Sequence, residues 1–323
     1  MENTLEIKDL RAGFPTEKGV AMAVDGVSLR VPRGAIVGVV GESGCGKSMT
    51  ARAVMGIIKS PGRIYEGSIV FDGRELTALS QRELSRLRGG ELSMVFQEPM
   101  TSLNPVMTVG KQVAEALRLH SGVTRAEARR ETVRIFEKVG IPDAEKRFDC
   151  YPHELSGGLR QRAAIAMAMI CSPKLMIADE PTTALDVTVE AQILRLIRSL
   201  RDDTGMSVLL ISHDLGVIAQ MCDYVYVMYA GQIVEQTDVC RLFDAPSHPY
   251  TRGLLNSVHS LRAGGSELET IQGGVPDLLN MPSGCRFRPR CGAACDGCGE
   301  KMPELREVSP GHLARCLERG DGV

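Results

Sequence analysis

The chain has 323 residues, 43% of them hydrophobic, and a formal net charge of −2. That length has room for one large or two medium domains with ample core, and the near-zero charge gives no global basic field for nucleic acid. Trp is absent, and the longest apolar run, Ala163 to Cys171, has nine residues, too few to span a bilayer. The acidic N-terminus, Met1-Glu2-Asn3-Thr4-Leu5-Glu6, lacks a signal-peptide pattern. The expectation is a cytosolic protein able to dock on a membrane protein.

Residues 5–10 and 27–31 read as strands around a loop rich in Gly, Pro and charge. Ala35 to Val40 is short, apolar and β-branched, as a buried strand should be. Gly41-Glu42-Ser43-Gly44-Cys45-Gly46-Lys47-Ser48 follows and fits the phosphate-binding P-loop, G-x-x-x-x-G-K-[ST]. Met49 to Met55 can be a helix, which completes the required order of strand, glycine loop and helix. In such a loop the glycines turn backbone N–H groups onto phosphate oxygens, and the helix N-terminus adds its positive dipole end. Lys47 can then reach the β and γ phosphates, and Ser48 can hold Mg²⁺.

Residues 68–71 read as a strand ended by the turn signal Asp72-Gly73, and 92–96 as a strand leading into Gln97. Residues 106–150 are helix-like, with heavy charge from Arg118 to Arg147. Leu155-Ser156-Gly157-Gly158-Leu159-Arg160-Gln161-Arg162 opens another helix, a second anion-binding helix start. Leu175–Ala178 and Val208–Ile211 are buried strands that run into Asp179-Glu180 and His213, at the strand ends where α/β sheets place their chemistry. An amphipathic helix is expected over 188–203, and Tyr224 to Tyr229 with Gln232 to Glu235 form a closing hairpin around Ala230-Gly231. From about residue 260 the periodicity fails, and Gly, Pro, Cys and Arg dominate.

The ten cysteines are poor disulfide candidates in a cytosolic protein. Of Cys45, Cys150, Cys171, Cys222 and Cys240, most read as small buried hydrophobes. Cys285, Cys291, Cys295, Cys298 and Cys316 are crowded near the C-terminus, with spacing C-x5-C-x6-C-x17-C if Cys295 is skipped. Thiolates without acidic or His ligands suit an iron–sulfur cluster or zinc, and Cys295-x-x-Cys298 alone suggests zinc. Plain thiols are the third reading.

The ordered set of P-loop, Gln97, Leu155 to Arg162, Leu175 to Glu180, Ala184-Leu185-Asp186 and His213 closely resembles the nucleotide-binding subunit of ABC transporters. A P-loop kinase or GTPase would share residues 41–48 and an acidic strand end, but not the rest. The resemblance implies an α/β fold: a RecA-like P-loop core with a helical subdomain near 98–165. It implies ATP at Gly41, Glu42, Ser43, Gly44, Cys45, Gly46, Lys47, Ser48 and Met49, with Phe14 stacked on adenine. The residues around Thr16 to Val20 are extra to the family pattern there, and an ordinary loop aromatic is the other reading of Phe14. Mg²⁺ falls to Ser48, Gln97 and Asp179, with Glu180 as the general base and His213 and Gln97 as catalytic partners. A solvated loop edge and an ordinary histidine are the alternatives for the last strand ends. Ser156, Gly157, Gly158 and Gln161 serve the ATP of the opposite subunit, and Asp186 belongs to the dimer loop. One chain with one P-loop then needs a second ATPase subunit, a second copy or a related heterologous chain, the latter being the expectation.

Gln97 to Pro105, His248 to Leu255 and Pro282 to Cys291 look like the dipeptide/oligopeptide importer branch of that family. Its ATPases serve peptides and some other cargoes, such as nickel complexes or glutathione. This implies two membrane permease subunits and an extracytoplasmic binding protein as partners, no nucleic acid, and a peripheral place on the cytoplasmic face of the membrane. The loop after Gln97 would meet the permeases; a capped helix start is its plainer reading. The branch also implies a [4Fe–4S] site at Cys285, Cys291, Cys298 and Cys316, with Zn²⁺ as the alternative. The expected division is an ATPase domain at 1–260 and a Cys-rich extension at 261–323. The rival function is a soluble ABC ATPase acting on nucleic acid or ribosomes. A non-catalytic ABC subunit is disfavoured by Glu180 and His213.

Overall fold

The computed structural model describes residues 2–97, 102–183, 185–263 and 271–317. Glu98 to Thr101 of the expected permease loop, and Ala184, lie outside the described residues. The chain divides into two compact units. A P-loop unit holds Leu5–Arg30, Ile36–Thr77 and Leu210 onward, and a helical unit holds Val31–Ala35, Ala78–Leu209 and the residues up to Thr4.

The P-loop unit begins with two long strands, β1 (Asn3–Thr16) and β2 (Gly19–Pro32). Both exceed the expected strands, and the supposed loop between them shrinks to Glu17-Lys18. Phe14 therefore sits in β1, half-buried, rather than in a loop. A register irregularity between Lys8 and Arg11 breaks the period of two, so Leu5, Ile7, Leu10 and Ala12 are all buried. Next come β3 (Ile36–Val40), buried at every residue, and helix α1 (Lys47–Met55). β4 (Arg63–Phe71) pairs antiparallel with β1 and with β5 (Arg74–Glu75), giving a four-stranded sheet in the order β2-β1-β4-β5.

The helical unit opens with α2 (Gln81–Leu87), started by a capping box of Ser80 and Glu83. β6 (Leu92–Val95) pairs in parallel with β7 (Leu175–Asp179), and both are buried throughout. Between them the expected helical stretch is three helices: α3 (Val109–Ser121), α4 (Arg125–Lys138) and the short α5 (Ala144–Arg147). Gly122 closes α3 in the left-handed conformation, and Thr124 with Glu127 caps α4. Then follow α6 (Gly157–Met169) and, after β7, α7 (Val187–Thr204). β8 (Ser207–Ser212) carries the chain back into the P-loop unit.

There α8 (Leu215–Met221) leads to β9 (Tyr224–Tyr229), which lies parallel to β3 and forms the expected hairpin with β10 (Gln232–Asp238). Helices α9 (Val239–Asp244), α10 (Pro249–Ala263) and α11 (Gly297–Glu300) follow. The C-terminal segment is not irregular throughout. β11 (Arg306–Ser309) and β12 (His312–Ala314) form a small hairpin, and β12 pairs antiparallel with β10.

Candidate active site

In the P-loop unit, Gly46 caps α1 with φ of 109°, in left-handed space. A Cβ there would lie 2.3 Å from the Ala23 carbonyl, so only glycine fits. Lys47 is buried, and its ammonium donates to the carbonyls of Gly41 at 2.6 Å and Glu42 at 3.0 Å. The cation is thus curled over the loop that would receive phosphate. Cys45 packs inside, as expected of a small hydrophobe, and burial pushes its thiol pKa up. Ser43 and Gly44 are exposed, Ser48 half-buried and Met49 buried.

Glu42 stands apart from the other loop residues. Its backbone N–H donates to the Tyr250 hydroxyl at 2.9 Å, and its carboxylate accepts two hydrogen bonds from Arg290, at 2.6 and 2.9 Å. Both of its polar ends are engaged by the C-terminal part of the chain. His213 follows β8 directly and is exposed. Phe14 lies beside Gly62, where an added Cβ would stand 2.6 Å from the ring.

In the helical unit, β7 ends with buried Asp179, and Glu180 follows at φ of 47°. This left-handed turn is strained for a side chain with a Cβ, as at many functional sites. Gln97, 83 residues away, donates its Nε2 to Glu180 Oε2 at 3.0 Å, and Thr183 Oγ1 donates to the same oxygen at 3.0 Å. Sequence reasoning missed Thr183. Ser156 caps α6, accepting from the Leu159 N–H, while exposed Gly157 and half-buried Gly158 form the first turn. Gln161 points inward and donates to the Pro181 carbonyl at 2.6 Å. It ties the start of α6 to the segment after Glu180. Asp186 caps α7 through the Val189 N–H.

The C-terminal cysteines belong to the P-loop unit. Cys285, Cys291, Cys298 and Cys316 line one small cavity together with Phe287, Arg288, His248 and Leu317; Cys295 is not in its wall. The central void is only about 10 Å³. Gly284, at φ of 69°, lets the backbone close up, since a Cβ would lie 2.3 Å from the Cys298 carbonyl. No group of three or more His, Cys, Asp or Glu side chains among the described residues is placed to hold a metal ion. Cys295 Sγ lies 3.2 Å from Cys298 Sγ.

Phe287 anchors this segment. Its ring is buried against Tyr229 and Tyr250, with centroids 5.2 and 5.4 Å apart, and lies 5.7 Å from the His248 ring. Glu235 is a fully buried carboxylate that accepts from the N–H groups of Ser247 and His248 and pairs with His312 at 2.7 Å. Burial alone would raise its pKa, but these hydrogen bonds outweigh that and hold it below the usual carboxylate value. The His-Pro-Tyr signature thus has a structural role: His248 meets Glu235, and Tyr250 meets the P-loop.

Two family models match the chain: ABC transporter over residues 24–183, and oligopeptide/dipeptide transporter, C-terminal region, over 234–298. The oligopeptide transport ATP-binding protein OppD of Salmonella typhimurium is 50% identical over 314 residues, covering 97% of this chain and 93% of OppD. AppD of Bacillus subtilis, also named an oligopeptide transport ATP-binding protein, is 47% identical over 318 residues, covering 98% of this chain and 97% of AppD. Among solved structures, the dimeric ATP-binding cassette MJ0796 in a post-hydrolysis state with ADP and Pi is 25% identical; the match covers 73% of this chain and 98% of that one, with a TM-score of 0.66. The α/β fold is that of the P-loop ABC ATPases, and the chain belongs to the ABC transporter family, in the branch of peptide and oligopeptide importer ATP-binding subunits.

Proposed function

We propose that this chain is the ATP-hydrolysing subunit that powers import of di- and oligopeptides across the cytoplasmic membrane. The observation that carries the peptide branch is the matched C-terminal region at 234–298 beside a full ATPase motif set. The test is reconstitution with permease subunits and a binding protein in proteoliposomes. ATP-dependent uptake of labelled peptide supports the reading. Uptake of a nickel complex or glutathione instead would move the cargo within the branch, and ATPase activity stimulated only by nucleic acid or ribosomes would favour the rival.

The residues divide the work as follows. Lys47 and the N–H groups from Gly44 to Met49 bind the phosphates, and Phe14 faces adenine. Ser48 and Asp179, with Gln97, hold Mg²⁺, which offsets charge on the β and γ phosphates when bound. Glu180 takes the proton of the attacking water, with Gln97 and Thr183 fixing its carboxylate and His213 beside the γ-phosphate. Ser156, Gly157 and Gly158 bind the ATP of a second subunit, with Gln161 supporting their helix. Asp186 lies in the loop between the paired subunits. Glu42 shapes the loop rather than touching phosphate.

The partners in this reading are a second, related ATPase chain, two permease subunits and an extracytoplasmic binding protein. No helix among the described residues is long and apolar enough to cross a membrane. In this reading the chain sits on the cytoplasmic face as a peripheral subunit. A cleft of about 460 Å³ in the helical unit, lined by Met107, Lys111, Arg118, Arg125, Arg129 and Phe148 among others, is the proposed permease contact. Its wall mixes the apolar Met107, Ala114 and Phe148 with Lys111, Glu115, Arg118, Arg125 and Arg129, the last already paired with Asp149.

Residues 1–260 are the proposed ATPase body and 261–323 the Cys-rich extension. Within it, Cys285, Cys291, Cys298 and Cys316 are the proposed ligands of a [4Fe–4S] cluster, with Cys295 dispensable. Zn²⁺ on the same thiolates is the alternative. A cluster spreads four thiolates over four irons, which suits cysteines lining one cavity. The void of about 10 Å³ is far smaller than such a cluster, so loading it would require the cysteine segment to rearrange.

A further inference from the structure

We propose that Arg290 is a positioning residue for nucleotide binding: it holds the start of the P-loop in shape through Glu42. By this contact the Cys-bearing segment controls affinity for ATP. The proposal rests on the ATPase reading above but goes beyond it, because no nucleotide contact is asked of the C-terminal segment.

Arg290 is built as a hub. Its side chain is only 4% exposed. Nη1 and Nη2 grip the two oxygens of Glu42 at 2.6 and 2.9 Å, while Nε donates to the Gln272 carbonyl at 2.9 Å. The Glu42 hydrogen bonds hold the guanidinium pKa above its usual value. A two-pronged, charge-assisted pair of this kind fixes direction as well as distance. The backbone of the same residue is fixed separately, by the Tyr250 hydroxyl. So the second residue of the P-loop has no freedom of its own. Lys47 in turn donates to the Glu42 carbonyl, which links the clamp to the phosphate-binding cation by one residue.

A second tether acts further along the loop. Arg286 forms an ion pair with Asp25 and donates to the Ala230 carbonyl. The next residue, Gly231, donates to the Cys45 carbonyl at 2.9 Å. Each arginine is the chain neighbour of a cavity cysteine, Arg286 of Cys285 and Arg290 of Cys291. Displacing the cysteine segment would therefore pull on the P-loop at two points.

The test uses the full chain, purified anaerobically and titrated with a non-hydrolysable ATP analogue and Mg²⁺, with thermal midpoints recorded for every variant. Arg290→Met and Glu42→Gln should each weaken binding about tenfold, and the double variant should be no weaker than the worse single one. Arg290→Lys keeps the charge without the fork and should fall between. Glu42→Gln leaves the buried Arg290 guanidinium without its carboxylate, so its midpoint should fall, and a binding loss that persists well below that midpoint separates positioning from general loss of stability. Affinities within about twofold of wild type for both single variants would overturn the proposal, as would losses that simply multiply in the double variant. If Arg290→Met fails to fold, Glu42→Gln alone decides. A wild-type chain that binds no nucleotide overturns the ATPase reading and this proposal with it; wild-type binding with unchanged variants overturns this proposal alone.

Discussion

Gln97 and Glu180, 83 positions apart in the chain, meet at 3.0 Å, the Gln97 Nε2 donating to Glu180 Oε2. Thr183 adds a second donor to the held oxygen, also at 3.0 Å. The strained backbone at Glu180 and this pair of donors together fix where its charge can act.

Glu180→Gln is expected to keep ATP binding and to lower turnover by about 10² or more, as removal of a general base does. The glutamine can still accept from Gln97 and Thr183, so geometry is preserved while basicity is lost. ATPase rates of the assembled variant complex check this, and a rate close to that of wild type would reassign the base.

The isolated chain should be a weak ATPase. Lys47 and Ser156 act on different nucleotides in the paired arrangement, so one chain has two half-sites. Activity should rise steeply on adding the second ATPase subunit and the permeases. Turnover measured against protein concentration, with the monomer verified by sedimentation, decides the matter; full activity in dilute monomer would refute shared sites.

Anaerobic purification should yield a brown protein with about four irons per chain. Cys285→Ser should lose the colour, and Cys295→Ser should keep it, because only the former lines the cavity. Metal analysis and the visible spectrum read the result. Stoichiometric zinc without iron would replace the cluster by a zinc site.

Stability should fall in mild acid through His248. Burial holds its imidazole pKa down to about 4. The unfolded ring titrates near ~6.5, so below that pH the unfolded chain binds a proton that the folded one refuses. The stabilisation is complete above pH ~6.5 and is lost as pH falls from there toward about 4. Between pH 7 and 5 the loss is about 2 kcal/mol. Thermal midpoints of wild type and His248→Asn at the two pH values test it: the variant should be less stable at pH 7 and show a shallower fall.

Much of the catalytic apparatus was legible because its motifs are local. Gly41 to Ser48 carries strand, loop and helix in one continuous stretch, and the strand before Asp179 is apolar throughout. β1 was underestimated because the register shift after Lys8 moves the buried face from odd to even positions, which ends the visible alternation at Leu10. The capping box at Ser80 and Glu83 is a readable local signal for the start of α2. The Arg290–Glu42 pair spans 248 positions, and nothing near either residue announces the other. β12 is only three residues long, too short for periodicity, and it exists because β10 offers it partners.

That last pairing bears on how the chain could be trimmed or exchanged. On its β12 side, β10 would otherwise present bare amide and carbonyl groups, the kind of unpaired margin that recruits a second molecule and seeds aggregates. Removing the last residues would also strip His312 from Glu235, stranding a carboxylate in the interior. A chain cut near residue 260 should therefore precipitate or self-associate rather than survive as a lean ATPase. By the same reasoning, grafting this tail onto another subunit would require carrying Glu42, Glu235 and Tyr250 along with it.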